Sequence, residues 1–104
     1  MGRKEENFAY FKEKHRDIYD AYEDFGKVLH TEGGPLDEKQ RWMIKVAVSA
    51  ACGHELALKT HIVKALNAGC TPEEIEHAIL LTATTAGFPT MMTALMSFRD
   101  ELEG

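Results

Sequence analysis

Four side chains capable of chemistry lie within one short stretch near the middle of the chain. Cys52, His54, Glu55 and His61 bring a thiol, two imidazoles and a carboxylate into the sequence ACGHELALKTH, residues 51–61. Imidazole titrates near neutral pH, so His61 is a candidate general acid or base, with His54 and Glu55 as orienting or binding groups. Cys52 is a candidate redox thiol that His54 or the start of the next helix could activate. The alternative for His61 is a packed histidine with a purely structural hydrogen bond.

The spacing of the two histidines argues against a metal ion held by one chain. His54 and His61 would be two helical turns apart, roughly 10 Å along the axis. Zinc–ligand bonds are only about 2 Å long, so one ion would not reach both rings. We therefore expect no metal and no other cofactor, while a metal site shared between subunits stays open.

The two cysteines are expected to be free thiols. Cys52 and Cys70 flank one predicted helix and are 18 positions apart, which corresponds to roughly 27 Å along a helix. Bridged Cα atoms lie about 5.5–6 Å apart, so an intrachain disulfide would require that helix not to exist. Free thiols are typical of a reducing compartment, and we expect a cytoplasmic protein.

Hydrophobic periodicity predicts an all-α fold of about five helices. Apolar residues from Phe8 to Leu29 recur at helical spacing along one long amphipathic segment. Asp37 is a good N-cap for the second helix, and Thr71 with Glu74 forms a capping-box signal for the fourth. No segment alternates convincingly with period two. The four later helices are predicted at about 38–51, 54–68, 72–86 and 90–102.

Length and charge restrict the domain organisation and the partners. The 104 residues fit one domain, with an N-terminal helix and turn over 1–34 and the remaining elements over 35–104. The formal net charge is −5 and the Lys and Arg residues are scattered among acids, so nucleic acid is not an expected partner. The longest apolar run, residues 78–86, is too short to span a bilayer. The expected partner is a small-molecule substrate.

The predicted helices carry more apolar surface than one short chain can bury. Hydrophobic residues make up 44% of the sequence, and three of the five helices are apolar on more than one face. A chain of this length has a thin core, and large apolar patches usually mark interfaces. The sequence therefore predicts an obligate homo-oligomer.

The order of these helices and motifs along the chain resembles that of the carboxymuconolactone decarboxylase family, which includes the alkylhydroperoxidase-D-like proteins. The resemblance extends from about Leu36 to Phe98. Its most specific motifs are the small-residue turn before the third helix, the segment from His61 to Ile75 that contains ALNAGCTPEEI, and TAGFP at residues 85–89. It implies an all-α domain that assembles as a trimer or hexamer.

The resemblance implies two chemistries, of which the redox one lacks its motif here. The redox branch resembles Glu-x11-Cys-x2-Cys-x3-His, and with His61 as the anchor its other three positions are occupied by Trp42, His54 and Ala57. The paired thiols are absent, so a peroxiredoxin-like activity would depend on Cys52 and an external thiol.

The other branch implies decarboxylase-type lyase chemistry. Its pattern resembles G-x-x-H-E-L-x-x-H, which Gly53, Leu58 and His61 match, while the HEL run itself occurs two positions early, at residues 54–56. His61 would donate a proton to a small carboxylated or lactone substrate. Arg41, Lys45 or His54 would bind its carboxylate. A non-catalytic oligomeric binding protein is the third alternative.

Overall fold

The computed structural model describes residues 2–104, and every regular element in that range is helical. The all-α prediction is therefore confirmed. The chain divides into two compact units, Met1–Pro35 and Leu36–Gly104. The seven helices of the described range are α1 (Arg3–Lys14), α2 (Arg16–Glu32), α3 (Glu38–Cys52), α4 (Glu55–Asn67), α5 (Pro72–Leu80), α6 (Ala83–Ala86) and α7 (Phe88–Glu103).

The N-terminal unit corrects one prediction, because its single long helix is interrupted at His15. His15 has φ −119° and ψ 55°, outside the helical region. The rings of Phe8 and Tyr19 then meet edge to face, with centroids 6.0 Å apart. In an uninterrupted helix eleven residues would separate them by roughly 16 Å along the axis. Lys12 and Arg16 lie over the same Tyr19 ring, which adds cation–π attraction at the break.

The C-terminal unit is built around α3, which packs against α4, α5 and α7. Each of these helices contributes an apolar stripe at the three-to-four-residue spacing of a helix face. The buried stripes form one continuous core. Its members are Val46, Ala50, Leu58, Ile62, Ala65, Cys70, Ile75, Ile79, Met91, Ala94 and Phe98.

Both predicted N-terminal caps of this unit are present. Asp37 accepts a hydrogen bond from the backbone N–H of Gln40, whose side chain accepts one from the Asp37 N–H in return. Thr71 and Glu74 form the same reciprocal pair at the start of α5. The hydrogen bond from the Thr71 N–H holds the pKa of the Glu74 carboxyl below its usual value. These local bonds fix where α3 and α5 begin.

The predicted helix over 72–86 is also interrupted, at Leu81 and Thr82. The buried Thr82 donates its hydroxyl to the Ile79 carbonyl at 2.7 Å, and its backbone N–H bonds to the same oxygen at 3.0 Å. A side-chain hydroxyl that takes a backbone carbonyl in this way competes with the helical ladder. The segment therefore divides into α5 and the single turn of α6, and α7 begins at Phe88, two residues before its predicted start.

A left-handed glycine ends α3 and turns the chain into α4. Gly53 has φ 71° and ψ 23°. The His54 N–H donates to the Ser49 carbonyl at 3.0 Å and the Gly53 N–H to the Ala50 carbonyl at 3.2 Å. This is the Schellman pattern, which requires a residue that tolerates positive φ. The turn sets the angle at which α4 returns along α3.

Gly53→Ala is expected to destabilise the protein by about 1 kcal/mol, because a Cβ is disfavoured in the left-handed conformation. Gly26→Ala is the matched control, since Gly26 lies inside α2 with open space where an added Cβ would point and alanine should stabilise there by roughly 0.5–1 kcal/mol. Urea unfolding of both variants measures the difference. Equal changes for the two variants would show that the turn at Gly53 tolerates a side chain.

Candidate active site

His61 lies on the face of α4 that packs against α3, and its ring is partly buried there. Its Nδ1 atom is 3.1 Å from the backbone carbonyl oxygen of Lys45 and 3.1 Å from the hydroxyl oxygen of Ser49. Lys45 and Ser49 are one turn apart on α3, so a single ring nitrogen meets two consecutive turns of the facing helix. This contact fixes the position of the imidazole relative to α3.

The carbonyl partner determines which nitrogen of His61 carries the proton. A carbonyl oxygen only accepts hydrogen bonds, so Nδ1 must be the donor toward Lys45. In the neutral ring, Nε2 then carries the lone pair. Such a second hydrogen bond is the usual way that proteins set the tautomer of a functional histidine. The lone pair of the neutral His61 ring is therefore on Nε2.

Ser49 completes this arrangement and was not identified by the sequence analysis. Its hydroxyl donates to the Lys45 carbonyl at 2.8 Å, one turn back along α3, and its oxygen accepts from His61 Nδ1. The serine proton is thus directed at a carbonyl, and the imidazole nitrogen beside it is a donor. Ser49 consequently orients His61 and is not a nucleophile activated by it.

The indole ring of Trp42 packs beside the imidazole ring of His61. The two ring centroids are 5.8 Å apart at an interplanar angle of 45°, a tilted aromatic contact. The Lys64 ammonium lies 5.9 Å from the centroid of the same indole, within cation–π range. Lys64 follows His61 by three residues on α4, so the site has an indole and a cation beside the imidazole. The sequence analysis selected neither residue for the site.

The predicted carboxylate-binding residues have specific positions on α3. Arg41 donates from its guanidinium to the Leu36 carbonyl at 2.6 Å, near the start of the helix. Lys45 contributes its backbone carbonyl to His61, and its side chain is partly buried. Both residues are on the helix that His61 contacts.

His54 and Glu55 occupy the N-terminal end of α4, two turns before His61. His54 is the N-cap residue, with φ −86° and ψ 84°, and Glu55 is the first residue of the helix. Both are exposed at the rim of a cleft that also borders Ser49. Ser49 is therefore the residue that contacts His61 on one side and the His54–Glu55 region on the other.

The two cysteines are free thiols in different environments. Cys52 is exposed at the last residue of α3. Cys70 is buried, with its Sγ 3.7 Å from the Lys39 carbonyl. Burial, followed by the nearby Glu74 carboxylate, raises the pKa of the Cys70 thiol.

Residues 2–104 contain no group of three His, Cys, Asp or Glu side chains placed to hold a metal ion. None of the helices described over that range is long and apolar enough to cross a membrane. His61 lies close to a hydroxyl and beside an indole with a nearby ammonium, so proton transfer is one chemistry that this region could perform.

Comparison with known proteins yields one family and one curated relative. The model of the carboxymuconolactone decarboxylase family matches residues 16–100. An uncharacterized protein of Methanocaldococcus jannaschii is 32% identical over 79 residues, which cover 76% of this chain and 73% of that protein. No solved structure shows a significant match. The family match begins within α2 and so extends further toward the N-terminus than the resemblance noted in the sequence.

Proposed function

This chain belongs to the carboxymuconolactone decarboxylase family, and from that premise we propose that His61 is the general acid and base of a decarboxylase-type lyase reaction. The substrate would be a small carboxylated compound or lactone. The observation that carries the proposal is the contact of His61 Nδ1 with the Lys45 carbonyl. That contact holds the ring and leaves Nε2 as the proton-transfer atom.

The chemistry requires a proton donor and a cation. In the decarboxylation of a β,γ-unsaturated acid, the bond between the α-carbon and the carboxylate breaks and carbon dioxide leaves. The released electron pair forms a double bond between the α- and β-carbons. The electrons of the former β,γ double bond then bind a proton at the γ-carbon. Protonated His61 supplies that proton from Nε2 and recovers it from solvent.

Three cationic side chains would contribute to binding the carboxylate of the substrate. Arg41 and Lys45 are on α3, the helix that His61 contacts, and Lys64 lies over the Trp42 indole beside the His61 ring. A positive charge near the carboxylate orients the substrate in the ground state. The indole limits the access of water to one side of the imidazole, which strengthens electrostatic interactions there. We expect the protein in the reducing cytoplasm, where both thiols persist.

We also propose that copies of the chain assemble as a trimer or hexamer. Large apolar side chains in both compact units are exposed in the single chain, among them Phe25, Leu81, Phe88 and Met96, each more than 60% exposed. A second copy would remove this surface from water. Sedimentation equilibrium measures the mass directly, and a species at the 11.7 kDa of one chain would contradict the proposal.

The acid–base proposal is tested with two probe reactions on the full chain. Carbon dioxide release is measured with carboxymuconolactone, the compound in the family name, and peroxide consumption with cumene hydroperoxide and dithiothreitol. We expect carbon dioxide release that Cys52→Ser leaves unchanged, because Cys52 is the last residue of α3, about two helical turns beyond Lys45 and nearly three beyond Trp42.

The alternatives predict different results in the same experiment. Peroxide consumption that is lost in Cys52→Ser and retained in Cys70→Ser would replace the lyase proposal with thiol-dependent redox chemistry. Binding of the lactone with no turnover of either probe would favour the non-catalytic binding protein.

A further inference from the structure

One face of α2 is apolar and exposed in the single chain. None of the 17 residues of this helix is buried. Five of its large apolar side chains, here called the α2 stripe, are between 48% and 66% exposed: Ile18, Tyr22, Phe25, Val28 and Leu29. An exposed apolar patch of this kind usually marks an interface.

The spacing of the α2 stripe is that of a seam between two paired helices. Ile18, Tyr22, Phe25 and Leu29 follow one another at intervals of four, three and four residues, which is the alternation of d and a positions in a heptad. Val28 flanks this seam at a g position. Between residues 17 and 30 every Asp, Glu and Lys is at a b, c or f position, so a helix that packs on the stripe does not have to desolvate a charge.

The stripe is complementary to itself when two copies run antiparallel. With the midpoint of the pair between residues 23 and 24, Tyr22 of one copy lies opposite Phe25 of the other, and Ile18 lies opposite Leu29. Each pair occurs twice, so all four seam positions of both copies are matched in a versus d layers. The antiparallel direction also brings opposite ends of the two helix dipoles together.

The area of the α2 stripe is sufficient for a specific contact between two copies. A fully covered aromatic side chain buries about 150–250 Å², so the exposed fractions of the five side chains correspond to roughly 500–600 Å² in one copy. Two copies would together cover about 1,000–1,200 Å², at the lower limit of specific interfaces. One matching helix is therefore a large enough occupant.

We propose that the α2 stripe pairs antiparallel with the α2 stripe of a second copy of this chain. Such a contact is two-fold symmetric, because each copy presents the same surface. The assembly then contains an even number of copies and, of the trimer and hexamer proposed above, is the hexamer. This last step rests on that proposed assembly, whereas the pairing itself is independent of the reaction at His61.

The test is sedimentation equilibrium of the full chain and of two charged variants, Ile18→Glu and Leu29→Lys. Each variant places a charge against an apolar side chain of the second copy, so the Kd of the pairing should rise about tenfold or more and the mass should fall to half. The new charges suit the dipole of α2, since the carboxylate is near its start and the ammonium near its end. Circular dichroism should therefore show unchanged helix content.

The double variant with both substitutions tests the identity of the partner surface. Positions 18 and 29 are too far apart to pair within one helix. In the antiparallel pair they face each other, so each introduced carboxylate meets an introduced ammonium of the second copy. The double variant should associate about fivefold or more tightly than either single variant. Weaker association than both single variants would show that the stripe contacts a different surface and would overturn the proposal.

Lys27→Gln is the matched control, because it changes the net charge by −1, as Ile18→Glu does, at an exposed f position of α2. Its mass and Kd should equal those of the unmodified chain. A trimer or hexamer whose mass neither single variant changes would overturn the pairing and leave the proposed assembly standing. A dimer that both single variants dissociate would support the pairing and contradict the trimer or hexamer. A mass of 11.7 kDa at every concentration would contradict both.

Discussion

His61→Gln is expected to lower the turnover of a carboxylated lactone by about a hundredfold or more. A positioned general acid or base typically contributes 10²- to 10⁴-fold to the rate. Glutamine is similar in size and can still donate a hydrogen bond toward the Lys45 carbonyl, but its amide does not ionise near neutral pH and so cannot act as a general acid or base. The loss should appear in kcat more than in KM, because the cationic side chains that would bind the carboxylate remain. Initial rates of carbon dioxide release measure both parameters.

His77→Gln is the matched control for this result. His77 is exposed on α5 and is not a member of the His61 contacts, so its replacement should leave the rate unchanged. The dependence of the rate on pH should contain an inflection from an imidazole that disappears in His61→Gln. A variant that keeps most of the activity and the same pH profile would assign His61 a structural role.

The helix boundaries that were predictable from the sequence are those determined by local hydrogen bonds. Asp37 with Gln40, and Thr71 with Glu74, close their bonds within three residues of each other. A local signal of this kind is complete in the sequence, because its partners are fixed by spacing alone. The starts of α3 and α5 were for this reason correct.

The sequence analysis missed the interruptions at His15 and at Leu81–Thr82. The contacts made at these positions cannot be recognised from the spacing of hydrophobic residues. The ring contact of Phe8 with Tyr19 joins residues eleven positions apart, and periodicity carries no information about such a bend. Thr82 is compatible with a helix by propensity, and only its burial shows that its hydroxyl takes the Ile79 carbonyl. Tertiary context overrides a weak local preference in such cases.

The sequence indicated His61 as a candidate acid or base, but it gave no information about the side chains and backbone groups that contact the ring. His61 stands out as an imidazole within an apolar helix, but its partners come from α3, at separations of 12 and 16 residues. Lys45 was selected for its ammonium, whereas the structure uses its backbone carbonyl, which every residue type has. Ser49 gave no signal because a serine within a helix is common. Only the packing of α3 on α4 reveals these roles.

The free energy of unfolding is expected to depend strongly on one aromatic side chain, Phe98. Phe98 lies on α7, is 2% exposed and is among the largest fully buried side chains of the core. Removing a buried phenyl ring costs about 3–5 kcal/mol through lost transfer energy and the resulting cavity. A unit of about 70 residues has a total stability of only roughly 3–10 kcal/mol. Phe98→Ala should therefore remove a large fraction of the stability, or unfold the C-terminal unit.

Phe88→Ala distinguishes this core effect from a general sensitivity to the loss of aromatic residues. Phe88 begins the same helix and is 62% exposed in the single chain, so its replacement should change the free energy of unfolding of one chain by only about 0.5 kcal/mol. Denaturant unfolding of both variants at equal, low chain concentration measures the difference, because assembly would otherwise add to the apparent stability. Phe98→Leu keeps most of the side-chain volume and should fall between the two. If Phe98→Ala costs no more than Phe88→Ala, the packing of α7 on α4 and α5 does not hold this unit together.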